Sequence, residues 1–122
     1  MPGRRTSLKF LKYDDKFVTY HAGDVIFKEG DKGEHMFVVK AGNVDLKVHG
    51  KTVETLEPGQ ILGEMALLDH ETRSASAIAA TDCQLVPIDG KRFQYLIGET
   101  PYFAIEVMQI MARRLRHMNE GK

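Results

Sequence analysis

The sequence predicts a mainly β domain, a small antiparallel barrel, roll or sandwich followed by C-terminal helices. Three observations carry that prediction. The chain has 122 residues, room for one hydrophobic core and too few for two ordinary domains. Glycines at 23, 30, 33, 42, 50, 59 and 63 punctuate its first two thirds, mostly seven to nine residues apart, with short apolar runs between them. That is the spacing of short strands joined by turns, with no room for crossover helices. Near residue 90 the texture changes to a helical one.

Taken in order, strands are expected at 17–20, 25–28 and 36–40. The clearest follows at 43–48, where alternation puts Val44, Leu46 and Val48 on one face. His49-Gly50 turns the chain and 51–56 returns as the partner of a hairpin. Further strands are expected at 75–79 and 85–88. Asp89 is a helix N-cap candidate before a short helix over 91–97, ended by Gly98 and Pro101. A longer helix is expected over 102–118. Ala104, Met108, Met111, Leu115 and Met118 form a heptad stripe along it, and Phe103, Val107 and Ile110 a second apolar strip. One strip can cover the β core while the other meets a partner, a homodimer through 102–118 included; equally, both can cover the core.

Composition narrows the function. Seventeen basic residues balance seventeen acidic ones, so no global field draws the chain to nucleic acid or to a membrane. A single cysteine, Cys83, forms no internal disulfide and suits a reducing compartment. No run has the apolar length of a membrane span, and the stretch after Met1-Pro2-Gly3-Arg4-Arg5 is too polar for a signal peptide, so a cytoplasmic protein is expected. The five histidines show no metal-ligand spacing, and neither Gly-x-Ser-x-Gly nor a Gly-Lys-Ser phosphate loop occurs. Cys83 has no basic neighbour in sequence and reads as an inert thiol. Arg4-Arg5-Thr6-Ser7 resembles a basic-directed kinase site, a short match that reads as a solvated N-terminus.

The segment 62–75 departs from strand and turn. Glu64 to Leu68 is good helix-forming sequence but only about a turn and a half long, marginal on its own. Its use would be to present backbone N–H groups, which carry partial positive charge at a helix start. Arg73, nine positions after Glu64, supplies a planar fork for two phosphate oxygens. Ser74 adds a hydroxyl and an N–H, and Ala75 keeps the wall low. Glu64 would repel an anion, but it suits a sugar hydroxyl beside one. Phosphate donors, one fork and one carboxylate together describe a ribonucleotide phosphate site. The bland alternative is a structural Glu64–Arg73 salt bridge closing the loop.

Gly63-Glu64-Met65-Ala66-Leu67 followed by Arg73-Ser74-Ala75 resembles the phosphate-binding cassette of cyclic nucleotide-binding domains. That family includes catabolite activator proteins, kinase regulatory subunits and cyclic-nucleotide-gated channels. His21-Ala22-Gly23-Asp24-Val25-Ile26, Glu29-Gly30-Asp31, Met36-Phe37-Val38-Val39, Gly42-Asn43-Val44 and Pro58-Gly59 extend the resemblance over about residues 15 to 116. It implies a jelly-roll-like antiparallel β-roll over about 15–89 with the cassette embedded in it. Helices over about 90–119 follow, the last serving as a lid, and 1–14 is a separate N-terminal segment. It also implies a cyclic purine nucleotide as ligand, cyclic AMP first and cyclic GMP admissible. Glu64 is assigned to the ribose hydroxyl, Arg73 to the cyclic phosphate, and the backbone of Gly63, Met65, Ala66, Ser74 and Ala75 to phosphate and ribose.

Arg114, by its distance from Pro101, is placed to stack on the purine. Leu62 stands where an aromatic is usual in the family and Thr72 where kinase and channel members have proline. Ser74 stands where members that accept cyclic GMP often have a hydroxyl. The expected role is sensing without catalysis or metal, with output to a protein effector in trans or fused in a larger receptor, and no direct contact with nucleic acid or membrane. The rival is a protein-interaction module that keeps the β-roll without the ligand; an enzyme cleaving cyclic nucleotides would need a metal cluster or a paired acid and base, which the sequence lacks.

Overall fold

The computed structural model describes residues 16–69 and 72–120; the side chains of 68, 69 and 117–120, like the segment 1–14 and its basic motif, lie outside the described residues. Eight strands form two antiparallel four-stranded sheets. One contains β1 (Val18–Tyr20), β8 (Cys83–Asp89), β3 (His35–Ala41) and β6 (Ile61–Leu62), in that order. The other contains β2 (Val25–Phe27), β7 (Ser76–Ala79), β4 (Val44–Val48) and β5 (Lys51–Leu56). Three helices complete the chain: α1 (Glu64–Asp69), α2 (Gly90–Glu99) and α3 (Pro101–Glu120).

Strand periodicity explains where the two cores lie. On β3, Phe37 and Val39 face β4 and β7 of the second sheet, together with Leu46, Leu56, Leu62 and Leu85. Their neighbours Met36 and Val38 point the other way, into a second core with Ile61, Val86, Ile88, Phe93, Phe103 and Val107. The β3 sheet is thus covered on both faces, by strands and by helices, so its central strand reads as an unbroken apolar run. Val44 and Leu46 are buried as the alternation predicts, and the hairpin turns at His49, whose φ is 52°. His49 N–H donates to Glu29 Oε1 at 3.1 Å, tying that turn to the β2–β3 loop.

Two boundaries differ from expectation. β6 carries no sequence signal, because two residues cannot display alternation. The α2 helix runs through Gly98 instead of ending there. That glycine is exposed, nothing lies within 4 Å of where its Cβ would be, and a helical glycine costs only about 1 kcal/mol. The terminator is Thr100, whose N–H closes onto Leu96 O at 2.8 Å, and Pro101 then starts α3, where its missing N–H has no helical partner to lose. At the other end Asp89 caps α2 as predicted, accepting from Arg92 N–H at 2.9 Å.

The two apolar strips of α3 separate. Phe103 and Val107 are buried, with Ile110 and Met111 packed beside them. Ile105, Met108 and Leu115 are exposed. The predicted heptad stripe is therefore divided, with Met111 on the core and Met108 and Leu115 facing out. No helix among the described residues is long and apolar enough to cross a membrane.

Candidate functional site

Residues 62–69 pack against β3, and Thr72 and Arg73 pair with the β2–β3 loop. Leu62 is fully buried in the inter-sheet core and anchors the entry. Gly63 takes a φ of +81°, and a Cβ there would fall 2.5 Å from Arg73 Nη1, so both backbone and space call for glycine. α1 follows at once, with Glu64 and Ala66 buried and Met65 partly so.

Arg73 is joined to the opposite loop through its backbone. Its N–H donates to Asp31 O at 2.7 Å, and its carbonyl accepts from Gly30 N–H at 2.9 Å. Gly33 sits where a Cβ would come within 2.6 Å of Ala66 Cβ and the Arg73 guanidinium, so the loop can close over the arginine only at a glycine. The side chain is 6% exposed. Nη1 donates to Gly63 O at 3.0 Å and Nη2 to His35 O at 2.7 Å, while the guanidinium carbon lies 4.1 Å from the Phe27 ring centroid. Nε is buried and has no hydrogen-bond partner. Burial lowers the Arg73 pKa, opposed by the charges of Glu64 and Asp31. A cation held, among the described residues, by carbonyls and a ring face, with one donor unspent, is prepared for an anion. Ser74 is exposed and Ala75 half-buried at the start of the way into β7.

Glu64 is fully buried, and its ion partner is Arg114 rather than Arg73. The Glu64–Arg73 salt bridge considered from sequence does not form in this structure. Arg114 Nη1 donates to Glu64 Oε2, Nη2 to Ile61 O at 2.8 Å, and Nε to Glu54 Oε1 at 3.2 Å. Burial opposes the charge on Arg114, but the Glu64 and Glu54 carboxylates more than offset it and push its pKa up. The other Glu64 oxygen, Oε1, is buried with no hydrogen-bond partner. A buried carboxylate oxygen without a donor is costly, and such a position fits a hydroxyl supplied from outside the chain.

Arg114 also borders a cavity between β5, β6 and α3, lined by Glu54, Gln60, Ile61, Ile110, Arg113 and Arg114. Glu54 is a polar neighbour of the site that sequence reasoning missed. It sits in an ordinary hairpin strand, 60 residues from Arg114, and nothing local marks it. Leu62, Gly63, Glu64, Met65, Ala66, Arg73, Ser74 and Ala75 come together on one segment, and Arg114 reaches that segment from α3. Among the described residues no group of histidine, cysteine and carboxylate side chains is arranged to hold a metal ion. Cys83 opens β8 fully within the core, where burial raises its thiol pKa.

Known proteins are similar to this chain in sequence and in fold. The cyclic AMP receptor protein of Thermus thermophilus is 38% identical over 102 residues, 80% of this chain and 47% of its own length. The cGMP-dependent protein kinase isozyme 2 of Drosophila melanogaster is 37% identical over 83 residues, 68% of this chain and 8% of its own. This chain thus spans less than half the length of either relative. The crystal structure of the Thermus thermophilus catabolite activator protein superposes with a TM-score of 0.81 at 32% identity, covering 95% of this chain and 57% of that one. The family profile described as "Cyclic nucleotide-binding domain" matches residues 17–100, and the chain belongs to that family.

Proposed function

We propose that this domain senses a cyclic purine mononucleotide, cyclic AMP first and cyclic GMP as the admissible second ligand, and does so without catalysis. The observation that carries the reading is the pairing, within one segment, of two buried and incompletely satisfied groups. Arg73 has an unspent donor and no carboxylate bonded to it among the described residues, and Glu64 has an oxygen without a donor. The first suits a cyclic phosphate and the second a ribose hydroxyl 2′ to it. The backbone of Gly63, Met65, Ala66, Ser74 and Ala75 completes the phosphate and ribose contacts, and Arg114 meets the face of the base. The names of the relatives, one a cyclic AMP receptor and one a cGMP-dependent kinase, support either purine.

Ligand reaches output through α3. Arg114 lies on that helix and is bonded to Glu64 Oε2, so a ribose on Oε1 shares the carboxylate that holds the helix. A nucleotide that favours one helix position over the other shifts the population, and the partner contact must in turn alter nucleotide affinity. The exposed strip of Ile105, Met108 and Leu115 is the surface offered to an effector, in trans or fused, or to a second copy.

Titration calorimetry of the whole chain with cyclic AMP and cyclic GMP tests the reading, and heat from neither at millimolar ligand overturns it in favour of an interaction module. A second arm uses the 2′-deoxy analogue. The parent should discriminate against it, and Glu64→Gln should lose most of that discrimination. Equal rejection by both proteins would remove Glu64 from the ribose.

A further inference from the structure

We infer that Glu54, on β5 and outside the phosphate segment, is the positioning residue that fixes the plane of Arg114 and so sets the preference for a purine base. The inference rests on the nucleotide site proposed above and adds to it a residue that the motif does not contain. Arg114 lies at the end of a long, flexible side chain on α3, and by itself its guanidinium is free to rotate. Three bonds remove that freedom. Nη1 donates to Glu64, Nη2 to Ile61 O at 2.8 Å and Nε to Glu54 at 3.2 Å. Guanidinium donors lie in the plane of the group, so acceptors from α1, β6 and β5 define that plane.

The three acceptors differ in what they can do. Glu64 is fully buried and divides its carboxylate between Arg114 on Oε2 and the proposed ribose on Oε1. Ile61 O is backbone and fixed by the β3–β6 pairing. Among the described residues Glu54 is the one side chain bonded to Arg114 that the ribose site does not use. It also lines the cavity that Arg114 borders, together with Gln60, Ile61, Ile110 and Arg113. Of these, Gln60 is engaged elsewhere, its Oε1 accepting from Glu57 N–H at 2.8 Å. Glu54 is therefore the side-chain acceptor that holds the guanidinium at the border of the cavity independently of the ribose. A flat cation rewards a large ring face, so its orientation acts on purines more than on pyrimidines.

The test measures the affinity ratio of cyclic AMP to cyclic cytidine monophosphate by calorimetry in parent, Glu54→Thr and Glu54→Gln. Threonine is a good strand residue that cannot reach Arg114, so the fold should survive. The expected result is a fall in the ratio of about three- to tenfold in Glu54→Thr, the range of a lost cation–π contact. Glu54→Gln keeps an acceptor oxygen and should retain most of the parent ratio. Equal losses for both nucleotides would mean a structural role only and would overturn the proposal, as would an unchanged ratio or tighter binding in Glu54→Thr. A parent that binds neither nucleotide refutes the underlying site instead, and the two failures are separable.

Discussion

Arg73 and Arg114 are the two guanidinium groups of the site, and the protein treats them in opposite ways. Arg73 is 6% exposed and bonded to two backbone carbonyls, with Nε unspent and its pKa lowered by burial. Arg114 has a side chain 20% exposed, is bonded to two carboxylates and a carbonyl, and has its pKa raised by them despite burial. Carbonyl dipoles orient a cation without cancelling its charge, whereas carboxylates cancel it. The first arrangement keeps positive charge available for a ligand. The second commits it to holding α3 onto the β-roll. Arg73 is therefore bonded without a carboxylate among the described residues, and Arg114 ties α3 to the β-roll.

Substitutions at the two arginines should break that comparison in different measurements. Arg114→Ala carries the largest expected effect, because it strands the Glu64 carboxylate in the interior. Removing one half of a buried pair costs about 3–5 kcal/mol, readable by urea unfolding. Adding Glu64→Gln to that variant should recover at least half of the loss, since the buried charge is then gone. If Arg114→Ala is as stable as the parent, the two arginines are not held differently.

Arg73→Ala should act mainly on binding. Losing a charge-assisted phosphate contact costs about 1.5–3 kcal/mol, or roughly 10- to 150-fold in cyclic AMP affinity by calorimetry. Its effect on stability should be the smaller of the two arginine variants, because it leaves carbonyls rather than a charge without a partner. Unchanged affinity would take the phosphate away from Arg73.

Gly63→Ala sharpens the contrast with the smallest effect. It places a Cβ against Arg73 and forces a left-handed backbone on a residue that resists it, at about 1–2 kcal/mol. The melting temperature should fall by several degrees and affinity should fall with it, because the strain lies on the receiving end of the site. A loss of stability with affinity intact would place Gly63 in the fold and outside the ligand contacts.

The strands were legible because their signals are local. Alternation in 43–48 survives as the buried Val44 and Leu46, and Asp89 announces its helix through a bond to a residue three positions on. Gly63, Glu64 and Arg73 lie within ten residues of one another, so their spacing is visible in the chain. β6 was illegible, being too short for a period, and the end of α2 was misread because an exposed glycine need not stop a helix.

The amino-acid sequence by itself thus determined the class of fold and the spacing of Gly63, Glu64 and Arg73 along one segment, because turn chemistry, periodicity and a short motif act over a few residues. Only the tertiary structure decided who pairs with whom. Glu64 meets Arg114 across 50 residues and Glu54 meets it across 60. A fully buried carboxylate must find a cation, and several arginines in the chain could have served. Packing of Phe103 and Val107 against the β3 sheet brings α3 over the site, and that packing selects Arg114. Among the described residues it leaves Arg73 bonded to carbonyls, while Arg114, which the sequence places over a purine, is bonded to two carboxylates.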